Sequence, residues 1–145
     1  MGKKLRVFAA VAVGLTLLAV LAVGLGAATA APARVQAASK VAVILKEWKL
    51  TPSSAGIKAG RVTFEVKNAG TIAHEFVVLR TNVHHHLLAG KGAEASEKGI
   101  KGEISKVSPG QMRTLTLTLA PGTYVLLCNL PGHYKAGQFA ALHVS

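Results

Sequence analysis

Hydrophobic and polar positions divide the chain into two stretches of different character. Val7 to Ala28 contains no charged residue. From Lys40 onward the pattern is that of β-structure. Val62, Phe64 and Val66 alternate with Arg61, Thr63, Glu65 and Lys67, and Leu115, Leu117 and Leu119 alternate with Thr114, Thr116 and Thr118. A period of two buries one face of a strand and leaves the other polar. Two further runs, Thr123 to Asn129 and Phe139 to Val144, are apolar on both faces, as in strands covered on both sides. Turn signals separate the runs: Ala59-Gly60, Asn68-Ala69-Gly70, Pro109-Gly110, Pro121-Gly122 and Pro131-Gly132. Several fall at the spacing of about 8–12 residues found in sandwiches and barrels. The expectation is an all-β fold, a small antiparallel β-sandwich of six or seven strands over residues 40–145. The stretch from Thr81 to Gly102, rich in Gly, Ala, Glu and Lys, is expected to hold a loop or one short helix.

The N-terminal stretch has a different purpose. Lys3, Lys4 and Arg6 precede the apolar run and small residues close it, which is the secretory pattern, with Ala28-Thr29-Ala30 or Val35-Gln36-Ala37 as the cleavage site. The run of 22 residues, Val7 to Ala28, exceeds the usual signal-peptide core of about 7–15. It also reaches the roughly 20 residues that span a bilayer. Residues 1–30 are therefore read as a signal peptide or an N-terminal transmembrane anchor helix, and the lack of a basic stop-transfer flank favours cleavage. Either way the folded part faces outward, so the location is extracytoplasmic. Residues 31–39, Ala-rich with one Pro, form a flexible tether.

At 145 residues there is room for one folded domain, which excludes multidomain enzymes with separate cofactor and substrate lobes. The formal net charge is +11. Removing residues 1–30 lowers the 17 Lys and Arg to 14 against six Asp and Glu, a net +8. The lysines are scattered, without the basic helix or basic-aromatic interleaving of nucleic-acid modules, so no nucleic acid is expected as a partner. A basic exterior attracts anionic lipid headgroups or an acidic protein instead. The single cysteine excludes an intramolecular disulfide and any Cys₄ or Cys₂His₂ zinc site.

That cysteine and the histidines carry the candidate chemistry. His74 opens the run His74-Glu75-Phe76-Val77-Val78-Leu79, just after the Asn68-Ala69-Gly70 turn. Cys128 closes the run Tyr124 to Leu127, His133 follows five residues later across Asn129-Leu130-Pro131-Gly132, and Gln138 five after that. A loop between two strands can turn Cys128 and His133 toward one point, and His74 can reach it from a neighbouring strand end. One thiolate and two imidazoles make the trigonal ligand set of blue copper sites, normally completed by a weak axial ligand.

At these residues the sequence resembles the cupredoxins in their plastocyanin/azurin-like form. The resemblance runs from about Val41 to Val144. It is most specific over Tyr124-Val-Leu-Leu-Cys128-Asn-Leu-Pro-Gly-His133-Tyr-Lys-Ala-Gly-Gln138, with Asn68-x-Gly70-x-x-x-His74-Glu75-Phe76 upstream. It implies a cupredoxin-like antiparallel Greek-key β-sandwich and one type 1 copper ion held by His74, Cys128 and His133. It also implies a monomer that shuttles single electrons between redox protein partners, with no substrate turnover. Gln138 stands where methionine is usual. Glutamine is a known axial alternative; otherwise Gln138 points away and leaves three ligands or a backbone-oxygen contact. Glu75 and Asn129, each adjacent to a ligand position, are expected to pin the two loops by a hydrogen bond, the alternative being a solvent-exposed Glu75. Leu130, Pro131 and Tyr134 are expected to form an apolar rim around His133, or Tyr134 to fill the core. His84-His85-His86 is read as a polar loop segment with adventitious metal affinity at most. His143 is read as structural.

Other functions fit less well. A copper carrier or chaperone would need exposed, exchangeable ligands, often Met-rich, and only Met112 remains beyond the leader. A dinuclear copper centre needs two cysteines. A Cys-His hydrolase needs an oxyanion-binding Gly-rich element, which the sequence lacks. A metal-free structural sandwich leaves the Cys/His/Gln spacing without a reason.

Overall fold

The computed structural model describes residues 38–84, 88, 90 and 92–145. The leader, residues 31–37 of the tether, and His85 and His86 lie outside the described residues; Ser39, the last tether residue expected, already belongs to the first strand. Nine strands form two sheets: β1 (Ser39–Lys46), β2 (Lys49–Pro52), β3 (Gly56–Ile57), β4 (Gly60–Asn68), β5 (His74–Arg80), β6 (Ile100–Val107), β7 (Met112–Leu119), β8 (Gly122–Leu127) and β9 (Phe139–Val144). One sheet has the order β2-β1-β4-β7 and the other β3-β9-β8-β5-β6. Among the described residues there is no helix, and the described residues of the connection between β5 and β6 lie in turns and irregular chain.

The alternation read from the sequence sets which side chains meet. Val41, Val43 and Leu45 of β1 and Val62, Phe64 and Val66 of β4 turn inward onto Phe76, Val78, Leu126, Leu142 and Val144 of the facing sheet. Phe64 and Phe76 join the two layers, with ring centroids 5.3 Å apart. Pairing is mostly antiparallel, but β1 runs parallel to β4 (Val43 opposite Val66) and β3 parallel to β9. Hydrophobic alternation is the same in either direction, so it does not reveal this. Nine strands exceed the six or seven expected: β2 and β3 are only four and two residues long, and the exposed Ile100, Lys101, Glu103 and Lys106 mask the period of β6.

The doubly apolar reading of Thr123 to Asn129 has a structural cause. Val125 and Leu127 of β8, with Val77 and Leu79 of β5, pack outside the sheet against Leu88, Ala95 and Tyr134, forming a second core. The β5–β6 connection thus roofs the outer face. In β9 the second face is only partly covered: Phe139 joins this cluster, while Ala141 and His143 are exposed.

Phe64→Ala would empty the centre of the sandwich beside Phe76. The expected loss of stability is about 3–5 kcal/mol in chemical denaturation, with the unfolding slope unchanged.

Candidate metal centre

Two turns bring the predicted residues to one end of the sandwich. Asn68, at the end of β4, is fully buried; its Nδ2 donates to the carbonyls of Ile72 (2.7 Å) and Val107 (2.8 Å), and its Oδ1 accepts from the Gly70 amide (2.8 Å). These bonds fold residues 68–72 back so that His74 enters β5 at the sheet end. Beyond β8, Leu130-Pro131-Gly132-His133 is a tight turn closed by His133 N–H donating to Leu130 O (3.0 Å). Pro131 presets the first central position and Gly132, at φ 87°, supplies the left-handed second one. The loop then closes on itself: Gln138 N–H donates to His133 O (3.1 Å) and Cys128 N–H to Gln138 O (3.0 Å).

The result is a convergent set of donor atoms. One ligating atom each from His74, Cys128 and His133 lies within 4.8 Å of the others. His74 Nδ1 and His133 Nδ1 are 3.3 Å apart, and Cys128 Sγ is 3.2 Å from His133 Nδ1 and 4.0 Å from His74 Nδ1. Three such donors bound about 2.0–2.3 Å from a common centre would stand roughly 3.5–3.8 Å apart. The observed edges straddle that range, so the group fits a first-row metal ion.

Gln138, also fully buried, caps the set. Its amide orientation follows from its partners. The atom 2.8 Å from Lys46 O faces a carbonyl, which only accepts, so it is the nitrogen. The same Nε2 lies 3.0 Å from His74 Nδ1, and Oε1 lies 3.1 Å from His133 Nδ1. Gln138 Oε1 therefore faces the convergent atoms.

The surroundings tune these groups. Burial, reinforced by repulsion from His133, lowers the pKa of His74 and keeps its imidazole neutral. Burial raises the Cys128 thiol, opposed by the backbone N–H groups of Glu75 and Leu130. Glu75 N–H points at Sγ from 3.2 Å. The neutral His74 imidazole beside a buried thiol leaves electron-pair donors facing one another, and a bound cation would satisfy them.

His74, Cys128, His133 and Gln138 are thus brought together as the sequence predicts. The Glu75–Asn129 link also exists, with the Asn129 backbone N–H donating to Glu75 Oε2 (3.1 Å). Burial raises the pKa of this carboxyl. The Asn129 side chain turns elsewhere, to Ala95 and Glu97. Tyr134 is in the second core rather than at the rim, its hydroxyl accepting from Leu88 N–H (3.1 Å). Of the rim expectation, Leu130 is half-buried and Pro131 exposed. His84 is exposed in the loop after β5, and His143 is exposed on β9.

Lys46, Glu47 and Trp48 were not visible in the sequence as site residues. Lys46 supplies the carbonyl that orients Gln138. Glu47 Oε1 lies 3.6 Å from His74 Nε2, and Trp48 meets the His133 ring edge-on at 4.9 Å between centroids. No motif marks them; a polar turn after a strand is all that Lys-Glu-Trp shows.

A β-sandwich with a thiolate and two imidazoles converging in this way defines the blue copper class. The chain belongs to the cupredoxin-like domain family, whose model matches residues 15–141. It is 30% identical over 140 residues to the copper-resistant cuproprotein CopI of Pseudomonas aeruginosa, covering 75% of this chain and 77% of that one. Among solved structures it resembles reduced auracyanin from Roseiflexus castenholzii, with TM-score 0.56, 23% identity, and 76% of this chain and 98% of that chain covered. It also resembles rusticyanin from Thiobacillus ferrooxidans, with TM-score 0.61, 15% identity, and 74% and 77% covered. The family and the donor set together imply one copper ion as cofactor.

Because Cys128 is fully buried, its thiol in the metal-free protein should react with a disulfide reagent at least about tenfold more slowly than in urea. Equal rates would mean that the site end opens in the absence of metal.

Proposed function

We propose that the protein is an extracytoplasmic type 1 copper protein that passes single electrons between redox partner proteins. His74, Cys128 and His133 are the equatorial ligands and Gln138 Oε1 the axial one. The observation that carries this reading is the convergence of the three donor atoms within 4.8 Å at a braced sandwich end. Bound copper supplies a one-electron Cu(I)/Cu(II) couple. The chain's own contribution is to hold the donors on strand ends and a self-closed loop, so that neither oxidation state demands a new arrangement, and to keep water from the buried His74, Cys128 and Gln138. No residue is assigned a catalytic role. The basic head, apolar run and Ala-Thr-Ala exit support export.

A second reading, copper storage or carriage in copper tolerance, draws on the relative described as a copper-resistant cuproprotein. Buried donors weigh against it, since a carrier must hand its ion on through exposed ligands.

Titration of the purified protein with Cu(II) separates the two. An intense thiolate-to-copper absorption band at one equivalent, absent in Cys128→Ser, is expected for the electron-transfer reading. Tight binding without the band favours carriage, and no binding overturns both.

The axial assignment has its own check. An amide oxygen is a harder donor than a thioether and stabilises Cu(II) more. Gln138→Met should therefore raise the reduction potential in voltammetry. An unchanged or lower potential would remove Gln138 from the axial position.

A further inference from the structure

Among the described residues, one buried side-chain polar atom at the site has no hydrogen-bond partner: His74 Nε2. Its protonation follows from the amide orientation above. Gln138 Nε2 donates to Lys46 O and has its second N–H directed at His74 Nδ1, 3.0 Å away, so Nδ1 carries the ring's lone pair, which copper would take in place of that N–H. The proton of the neutral ring is then on Nε2. A buried N–H without an acceptor is unfavourable, yet this one faces a carboxylate oxygen, Glu47 Oε1, at 3.6 Å.

Glu47, in the turn between β1 and β2, is held there by contacts beyond that turn. The same Oε1 accepts the backbone N–H groups of Thr71 (2.6 Å) and Ile72 (3.0 Å), in the turn that leads into His74. Gly70 makes the approach possible: a Cβ at that position would run into the Glu47 carboxylate. The carboxylate, the turn and the imidazole form one unit joining the end of β1 to the start of β5.

We propose that Glu47 is a positioning residue for the metal centre: its carboxylate accepts the Nε2–H of His74 and thereby fixes the ring with Nδ1 turned to copper. This rests on the ligand assignment given under the proposed function. A carboxylate behind a ligating imidazole fixes its tautomer and raises its basicity, and losing such a partner commonly weakens metal binding about 10–100-fold. A more basic imidazole favours Cu(II) over Cu(I), so Glu47 holds the reduction potential down.

The test uses Glu47→Gln in the full chain. Glutamine keeps an oxygen for the Thr71 and Ile72 amides but removes the negative charge, so a purely structural role would leave the potential where it is. The expected change is about a tenfold loss of preference for Cu(II), an upward shift of about 59 mV for one electron, with the thiolate-to-copper band retained. Gly70→Ala, which displaces the carboxylate without altering its charge, should shift the potential in the same direction. In reduced, copper-loaded wild type, the His74 Nε2 proton should exchange with water at least tenfold more slowly than that of an exposed imidazole.

A Cu(II)/Cu(I) preference within twofold of wild type in both variants, with the band intact, overturns the proposal. A freely exchanging Nε2 proton does the same. A missing band in the wild type overturns the ligand assignment itself, and is distinguished from the other outcomes by that spectrum.

Discussion

Polar atoms withdrawn from water need partners, and the end of the sandwich that gathers His74, Cys128, His133 and Gln138 is arranged around that need. Asn68 uses its amide to hold three backbone groups of the β4–β5 turn and β6. Asn129 holds the Ala95 N–H and carbonyl and the Glu97 carboxylate in the long connection. Gln138 bridges Lys46 and the two histidines. Within this network the donor atoms of His74, Cys128, His133 and Gln138 face one another at short range, and such donors crowded together in an apolar setting are best satisfied by a cation.

Both layers of the sandwich contribute to that point. The five-stranded sheet supplies His74 from β5 and the Cys128–Gln138 loop between β8 and β9. The four-stranded sheet supplies the carbonyl of Lys46 at the end of β1 and the carboxylate of Glu47 in the turn that follows. The two layers are joined through their core by Phe64 and Phe76. The β5–β6 connection braces the loop from outside, through Leu88 on the Tyr134 hydroxyl and Ala95 on the Asn129 amide. The donor atoms thus owe their placement to elements on three sides.

Much of this was legible in the sequence, for a physical reason. Strand alternation follows from burial of one face, so the inward positions of β4 and β7 could be read directly. Cys128, His133 and Gln138 lie within one short loop, where spacing in sequence is nearly spacing in the fold, and His74 is flagged by the Gly turn before it. Lys46, Glu47 and Trp48 were not legible, because their contacts depend on which strand ends become neighbours. Glu47 is separated from the turn it holds by 24 residues, and Lys46 from Gln138 by 92. The parallel β1–β4 pairing that creates this neighbourhood leaves no trace in a period-two pattern. Tyr134 fits either a rim or a core, and only the roofing of the outer sheet face decides for the core.

Trp48 is the chain's sole tryptophan. It is 47% exposed and meets the His133 ring edge-on. An indole so close to the donor set makes the protein its own optical gauge. Emission from this one indole would be quenched by energy or electron exchange with an occupied centre, to a degree that differs between oxidation states. Loading and redox state can then be followed in dilute solution, without a label, from a side chain that is also open to anything docking over His133.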